Sequence, residues 1–153
     1  MALVLRSSGL EENGTIDEKY TCDGMDVSIP LNWSDPPEGT KSFALIADDP
    51  DAPSGNWVHW VVYDLPADAR GLAEGVPAEK TLDDGVRQGV NDFRRVGYGG
   101  PCPPSGPAHR YVFTLYALNR KLGLHGGLTK HEVLRAIRGH VLAQSQLVGI
   151  YKR

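Results

Sequence analysis

Three short stretches gather side chains that can exchange protons or hold an anion. They are Asp48-Asp49-Pro50-Asp51-Ala52-Pro53, Trp57-Val58-His59-Trp60, and Gly99-Gly100-Pro101-Cys102-Pro103-Pro104 leading to His109-Arg110-Tyr111. Proline fixes its own φ and keeps the preceding residue out of the helical region, so Asp49 ahead of Pro50 is expected in extended or turn backbone. Imidazole and phenol groups supply hydrogen-bond donors for phosphate or carboxylate oxygens, and amides of the Gly-Gly-Pro turn would add to them. Asp49 cannot attract an anion. Its expected work is to orient a histidine, or to accept a proton from a monoprotonated phosphate or a ligand ammonium. One strand histidine by itself more often packs than binds. Three proline-framed clusters together point to a preformed site.

Other chemistries fit the same residues less well. Asp49, Asp51, His59 and His109 contain a zinc-type ligand set, but no His-x-x-x-His or Cys-x-x-Cys spacing accompanies it, and no metal is expected. A serine hydrolase elbow of the Gly-x-Ser-x-Gly type is absent. A nucleophilic Cys102 would stand between two prolines, a setting that reads as rigid packing around a buried, inert thiol. Neither a Gly-x-x-x-x-Gly-Lys loop nor a strand-linked Gly-x-Gly-x-x-Gly turn occurs, which removes those nucleotide sites. The reading is a binding protein rather than an enzyme, with no cofactor.

The elements that must position these groups are mostly strands. Leu3 to Leu5, Ser42 to Ala47, Val58 to Leu65, Tyr111 to Leu118 and Leu147 to Tyr151 are rich in β-branched and aromatic residues and bounded by Gly, Pro or Asp. Alternation places His59 on one face with Val61 and Tyr63, and His109 and Tyr111 on one face with Phe113 and Leu115. Arg110 then points the opposite way, toward a structural salt bridge, while Asp51 reads as the cap of an Asx turn. Trp33, Trp57 and Trp60 read as core or pocket walls. One helix begins at Thr129, where Thr-Lys-His-Glu is a capping-box signature, and Val133, Leu134, Ile137 and Val141 follow at helical spacing with Gly139 interrupting them. The stretch from Asp68 to Ser105, dense in glycine and proline, reads as a long ordered loop over the sheet.

A chain of 153 residues with 18 Gly and 11 Pro, no linker and no repeat reads as one unit, 1–153, built on strands and turns. A net charge of -3 argues against a general nucleic-acid binder. No apolar run reaches the length that spans a bilayer, and the first residues carry no secretory apolar stretch, so the expectation is a cytoplasmic protein without membrane insertion. Two cysteines, Cys22 and Cys102, fit that compartment as free thiols.

Taken in order, DPDAP (49–53), WVHWVVYDLP (57–66), NDF (91–93), GYGGPCPP (97–104), HRYVFTLYAL (109–118) and LRAIRGHVLAQSQLVGIYKR (134–153) resemble the phosphatidylethanolamine-binding protein family, in its short prokaryotic, Raf-kinase-inhibitor-like branch. The resemblance runs from about Tyr20 to the C-terminus. It implies a mainly β fold: a two-sheet antiparallel Greek-key sandwich with a few peripheral helices, one near the C-terminus. It also implies an anion pocket at Asp49, His59, His109 and Tyr111, lined by Pro50, Gly100 and Pro103, that takes phosphate, a carboxylate or a phosphorylethanolamine-like group. The implied assembly is a homodimer. The alternative it raises is inhibition of a kinase or protease through surface loops; a separate alternative from the residues is a hydrolase using the same pocket, with Cys102 or His109 in a turnover role and Asp49 as orienter. Two positions depart from the branch: Arg94 stands where glycine usually follows Asn-Asp-aromatic, and Ile29 replaces a proline.

Overall fold

The computed structural model describes residues 2–153. Eight strands form two antiparallel sheets. The larger has the order β6-β4-β3-β7-β8, from β3 (Ser42–Ala52), β4 (Gly55–Pro66), β6 (Arg87–Gln88), β7 (His109–Leu118) and β8 (Val141–Tyr151). The smaller has the order β1-β2-β5, from β1 (Val4–Arg6), β2 (Leu31–Ser34) and β5 (Gly71–Leu72). A mainly β architecture with one α-helix near the C-terminus agrees with the sequence pattern, and its two antiparallel sheets agree with what the family resemblance implied.

The small sheet covers one face of the large one. Leu5, Leu31 and Trp33 meet Phe43, Leu45, Trp60, Phe113 and Leu115 in a dry inter-sheet core. Burying such aromatic and aliphatic side chains is worth about 1.5–3 kcal/mol each, which makes this layer the main source of cohesion. The opposite face of the large sheet carries a second core, where Val58, Val61, Tyr63 and Leu118 lie beneath Val133 and Ile137 of α1 (Lys130–Ile137).

Helix α1 starts as expected. The Thr129 side chain accepts from the Glu132 amide while the Glu132 carboxylate accepts from the Thr129 amide. It stops earlier than the apolar stripe suggested. Gly139, at φ +81°, adopts a left-handed conformation that ends the helical path, and Val141 instead opens β8 with its side chain exposed.

Alternation also fails in β4, for a local reason. Ala47 pairs with Trp60 and Asp48 with Val58, so His59 is an extra residue, a β-bulge. Val61 and Tyr63 pack under the helix, whereas His59 turns to the inter-sheet side with Trp60. In β7 the alternation holds, and Tyr111, Phe113 and Leu115 share the inter-sheet face.

The stretch 68–105 is an ordered loop interrupted by β5 and β6. Buried Gln88 organises it by donating to the Pro77 and Glu79 carbonyls and accepting from the Trp60 indole. Its far end is tied down by a Cys22–Cys102 disulfide, which overturns the expectation of free thiols and of a buried, inert Cys102. The pairing was invisible in a count of two cysteines 80 residues apart; it depends on the 98–104 loop lying against residues 20–26. Tyr98 donates to the Tyr20 carbonyl, the Cys22 amide to the Pro101 carbonyl and the Gly100 amide to Asp26, which brings the two Cα atoms to 5.4 Å. Closing a loop of that length stabilises the fold by about 4.5 kcal/mol on a chain-entropy view. With both sulfurs bonded, the argument for a reducing compartment from free thiols falls away. No helix among the described residues is long and apolar enough to cross a membrane.

Candidate functional site

The ends of β3, β4 and β7 meet the 91–104 loop around a cavity of about 300 Å³. At its base, Asp49, His59, His109 and Tyr111 are all buried, with Asp49 only 3% exposed. Its walls come from Pro53, Trp57, Phe93, Pro103 and Pro104, together with the Cys102 end of the disulfide. The result is a polar floor under an apolar rim.

Asp49, His59 and His109 are each fixed by a hydrogen-bond partner. Asp49 Oδ2 lies 2.7 Å from His109 Nδ1, and Asp49 Oδ1 accepts from the Asp51 amide at 2.7 Å. The Asx turn therefore belongs to Asp49, not to Asp51 as its sequence context suggested. Asp51 instead receives the Arg110 backbone amide, Nε and Nη2 at 2.8–2.9 Å. The side-chain fork from Arg110 holds the Asp51 carboxyl down at about 2. Arg110 thus points away from the cavity into an ion pair, as alternation predicted.

His59 Nδ1 lies 2.6 Å from the Gly99 carbonyl. A carbonyl only accepts, so Nδ1 carries the hydrogen and Nε2 holds the lone pair in the neutral ring. A carboxylate likewise assigns the Nδ1 hydrogen of His109. Among the described residues neither Nε2 has a hydrogen-bond partner, and both rings line the cavity. Burial lowers the pKa of His59, the Gly99 hydrogen bond only partly offsetting it. The Tyr111 hydroxyl also lacks a partner among the described residues, and burial pushes its pKa up, so it stays a neutral donor. Phe93 and Tyr111 pack edge-on against the His59 ring at 5.4 and 5.2 Å, which restricts its rotation.

Not every expected residue reaches the cavity. Pro103 lines it, but Pro50 and Gly100 do not. Pro50 is exposed near the end of β3, and Pro53 in the turn that follows takes the wall position. Gly100 is buried against Tyr20 and Asp26, and its amide is spent on the Asp26 carboxylate, while the Gly99 amide goes to the His59 carbonyl. The turn therefore offers a carbonyl to a histidine, not amides to an anion.

Sequence reasoning missed Phe93 and the residue that places it. Buried Asn91 donates to the Gly97 carbonyl and accepts from the Phe93 and Arg95 amides, folding residues 91–97 into the turn that swings Phe93 over the cavity. Asp92 clamps the same turn to the Val58 amide at 2.7 Å. A signal existed in Asn-Asp followed by an aromatic residue, a pattern of local side-chain to backbone bonding. The departure at Arg94 is absorbed by the backbone: Arg94 adopts φ +63°, the left-handed conformation a glycine would take without strain. Trp57 walls the cavity as expected. Its Nε1 is the one buried side-chain nitrogen or oxygen without a partner among the described residues.

Among the described residues no three His, Cys, Asp or Glu side chains converge as a metal site. What the floor can do is present two imidazole Nε2 atoms and a phenol to one small group. When protonated the imidazoles donate to an oxyanion; when neutral they accept from an acidic hydroxyl.

Comparisons with known proteins show the family and the fold. The sequence profile of the family described as phosphatidylethanolamine-binding protein matches residues 6–152. A UPF0098 protein of Methanothermobacter thermautotrophicus is 50% identical over 149 residues, covering 97% of this chain and 98% of its own. One from Aquifex aeolicus is also 50% identical over 149 residues, covering 96% of this chain and 86% of its own. The crystal structure of Escherichia coli YbcL, described as a member of the mammalian PEBP family, superposes with a TM-score of 0.92 at 30% identity, covering 100% of this chain and 99% of that one. A PEBP homologue from Chlamydia trachomatis superposes with a TM-score of 0.90 at 39% identity, covering 99% and 98%.

Proposed function

The chain belongs to the phosphatidylethanolamine-binding protein family, and from that membership and the cavity floor we propose that it binds a small oxyanion, a phosphate or carboxylate group carried by a larger, partly apolar molecule. The observation that carries this reading is the pair of buried histidines, each with Nδ1 committed to a fixed acceptor and Nε2 left facing the cavity. Side chains held this way cost little further ordering when a ligand arrives. The apolar rim of Trp57, Phe93, Pro103 and Pro104 suits a carbon substituent next to the anion and keeps water from the floor.

A neutral Nε2 accepts, so a fully ionised oxyanion binds only as protons are taken up, whereas a monoprotonated phosphate brings a proton with it. We favour binding over turnover. A thiol hydrolase at this site would need a free Cys102, whose sulfur is in the disulfide, and Ser54 at the mouth has no hydrogen bond to either histidine.

The test is calorimetric titration of phosphorylethanolamine and inorganic phosphate into wild type and the His59→Ala and His109→Ala variants. Losing one charge-assisted hydrogen bond is expected to weaken binding by about tenfold or more. Unchanged affinity in both variants rejects the site.

A further inference from the structure

The Cys22–Cys102 disulfide is not a buried staple. Both residues are exposed, and Cys102 forms part of the cavity wall. Their electrostatic surroundings differ. The Arg153 guanidinium lies 3.5 Å from Cys102 Sγ through Nη1, and the same nitrogen donates to the Pro103 carbonyl at 3.3 Å. Cys22 instead adjoins Asp23, whose carboxylate is 3.3 Å from Arg153 Nε and accepts from the Tyr151 hydroxyl at 2.6 Å. Cys102 Sγ thus has a cation in contact with it, whereas no charged side chain is hydrogen-bonded to Cys22 Sγ among the described residues.

We propose that this disulfide is an exchange site for small-molecule thiols, and that Cys22 is the sulfur that takes the adduct. Exchange runs faster when the departing sulfur is better stabilised as a thiolate, and a guanidinium contact provides that stabilisation. The incoming thiolate attacks Cys22 Sγ along the S–S axis. A new S–S bond joins Cys22 to the small molecule, the Cys22–Cys102 bond breaks, and its electron pair leaves on Cys102 Sγ beside Arg153. A second thiolate then attacks the small-molecule sulfur of the adduct. It departs as the symmetrical disulfide, and the Cys22 thiolate released takes a proton from water. In sum, two small thiols are oxidised to one disulfide, the protein disulfide is reduced to a Cys22 thiol and a Cys102 thiolate, and one proton is released to solvent.

Both residues lie at the exposed surface, so the first attack does not require the core to unfold. The 98–104 loop is also held without the covalent tie, by the Tyr98 hydroxyl, the Cys22 amide and the Gly100 amide. These bonds persist in the reduced protein, which is folded but less stable than the oxidised form, with a thiolate at the cavity rim where a disulfide sulfur had been.

The experiment treats the folded, oxidised protein with excess glutathione, adds a maleimide after short intervals, and maps both cysteines by peptide mass spectrometry. Early samples should show glutathione on Cys22 and maleimide on Cys102, in about fivefold excess over the reverse pattern. Equal labelling, the reverse pattern, or a disulfide that resists glutathione until the protein unfolds overturns the proposal. Arg153→Gln should bring the ratio to within about twofold, while Arg153→Lys, which keeps the cation, should preserve the excess. A ratio unchanged in Arg153→Gln removes Arg153 as the cause and overturns the assignment.

Discussion

The proton accounting at His59 gives the most demanding prediction, because stability and affinity should move in opposite directions with pH. Burial lowers the pKa of His59 from its ordinary 6.5. In the unfolded chain the ring binds a proton more readily, so the folding stability this group contributes is complete above about pH 6.5 and declines as pH falls toward the folded value. An ionised oxyanion acts the other way, since it binds the protonated ring. Sulfate is the suitable probe, its charge being constant near neutrality. Its affinity should rise up to about tenfold per pH unit on acidification for each imidazole proton taken up. His59→Asn keeps a donor where Nδ1 serves the Gly99 carbonyl and deletes Nε2. Removing one charged hydrogen bond costs about 1.5–3 kcal/mol, so sulfate binding should weaken about 10- to 150-fold and its pH slope should fall by one proton. His59→Gln places a neutral donor near the Nε2 position and should bind sulfate weakly with a similarly reduced slope. Calorimetry between about pH 8 and 6, paired with thermal unfolding of the unliganded proteins, reads both quantities. A wild-type sulfate affinity that is flat across that range, or a His59→Asn slope equal to wild type, would refute the reasoning.

Three further outcomes follow from backbone and charge. Arg94→Gly, by removing a side chain from a backbone at φ +63°, should stabilise the protein by about 0.5–1 kcal/mol, read as a Tm increase of a few degrees; a lower Tm contradicts the strain. Gly100→Ala should destabilise by more than about 2 kcal/mol in a denaturant titration, because a Cβ there collides with the Tyr20 carbonyl, held by the Tyr98 hydroxyl, and with the Asp26 carboxylate that accepts from the Gly100 amide. The Asp51 contribution to stability is present above its unfolded value near pH 4 and lost as pH falls through about 2, so Asp51→Asn should flatten the acid limb of the stability profile in that window. An unchanged acid limb would show that the Arg110 fork adds nothing.

Much of the fold was legible because its signals are local. Short β-branched runs between Gly, Pro and Asp mark β3, β7 and the later part of β8, and Thr129 with Glu132 marks the start of α1. What escaped were features set by distant partners. The Cys22–Cys102 bond depends on two loops meeting, and the Gly100 amide was unavailable because Asp26 lies across from it. Arg94 shows the limit from the other side: the turn forms despite the missing glycine, since Asn91 and Asp92 supply enough side-chain to backbone bonds to hold a strained residue in place.

The meeting of the two histidines depends on the feature that alternation could not reveal. With strict pairing between β3 and β4, His59 would follow Val61 and Tyr63 to the helix side of the sheet, and the imidazoles would lie on opposite faces. The extra residue between the Ala47–Trp60 and Asp48–Val58 pairs turns His59 inward, where the Gly99 carbonyl, Phe93 and Tyr111 hold it. The bulge also leaves Asp49 opposite Trp57, so that the carboxylate orienting His109 and the indole forming the wall stand on the same side. A bulge bends and twists a strand at the expense of a ladder bond, and here it occurs at the residue whose direction decides whether a floor exists. The geometry of the site is therefore set in β4 by one inserted residue, while the loops from 91 to 104 supply the wall and the hydrogen-bond partner that keep the inserted residue turned inward.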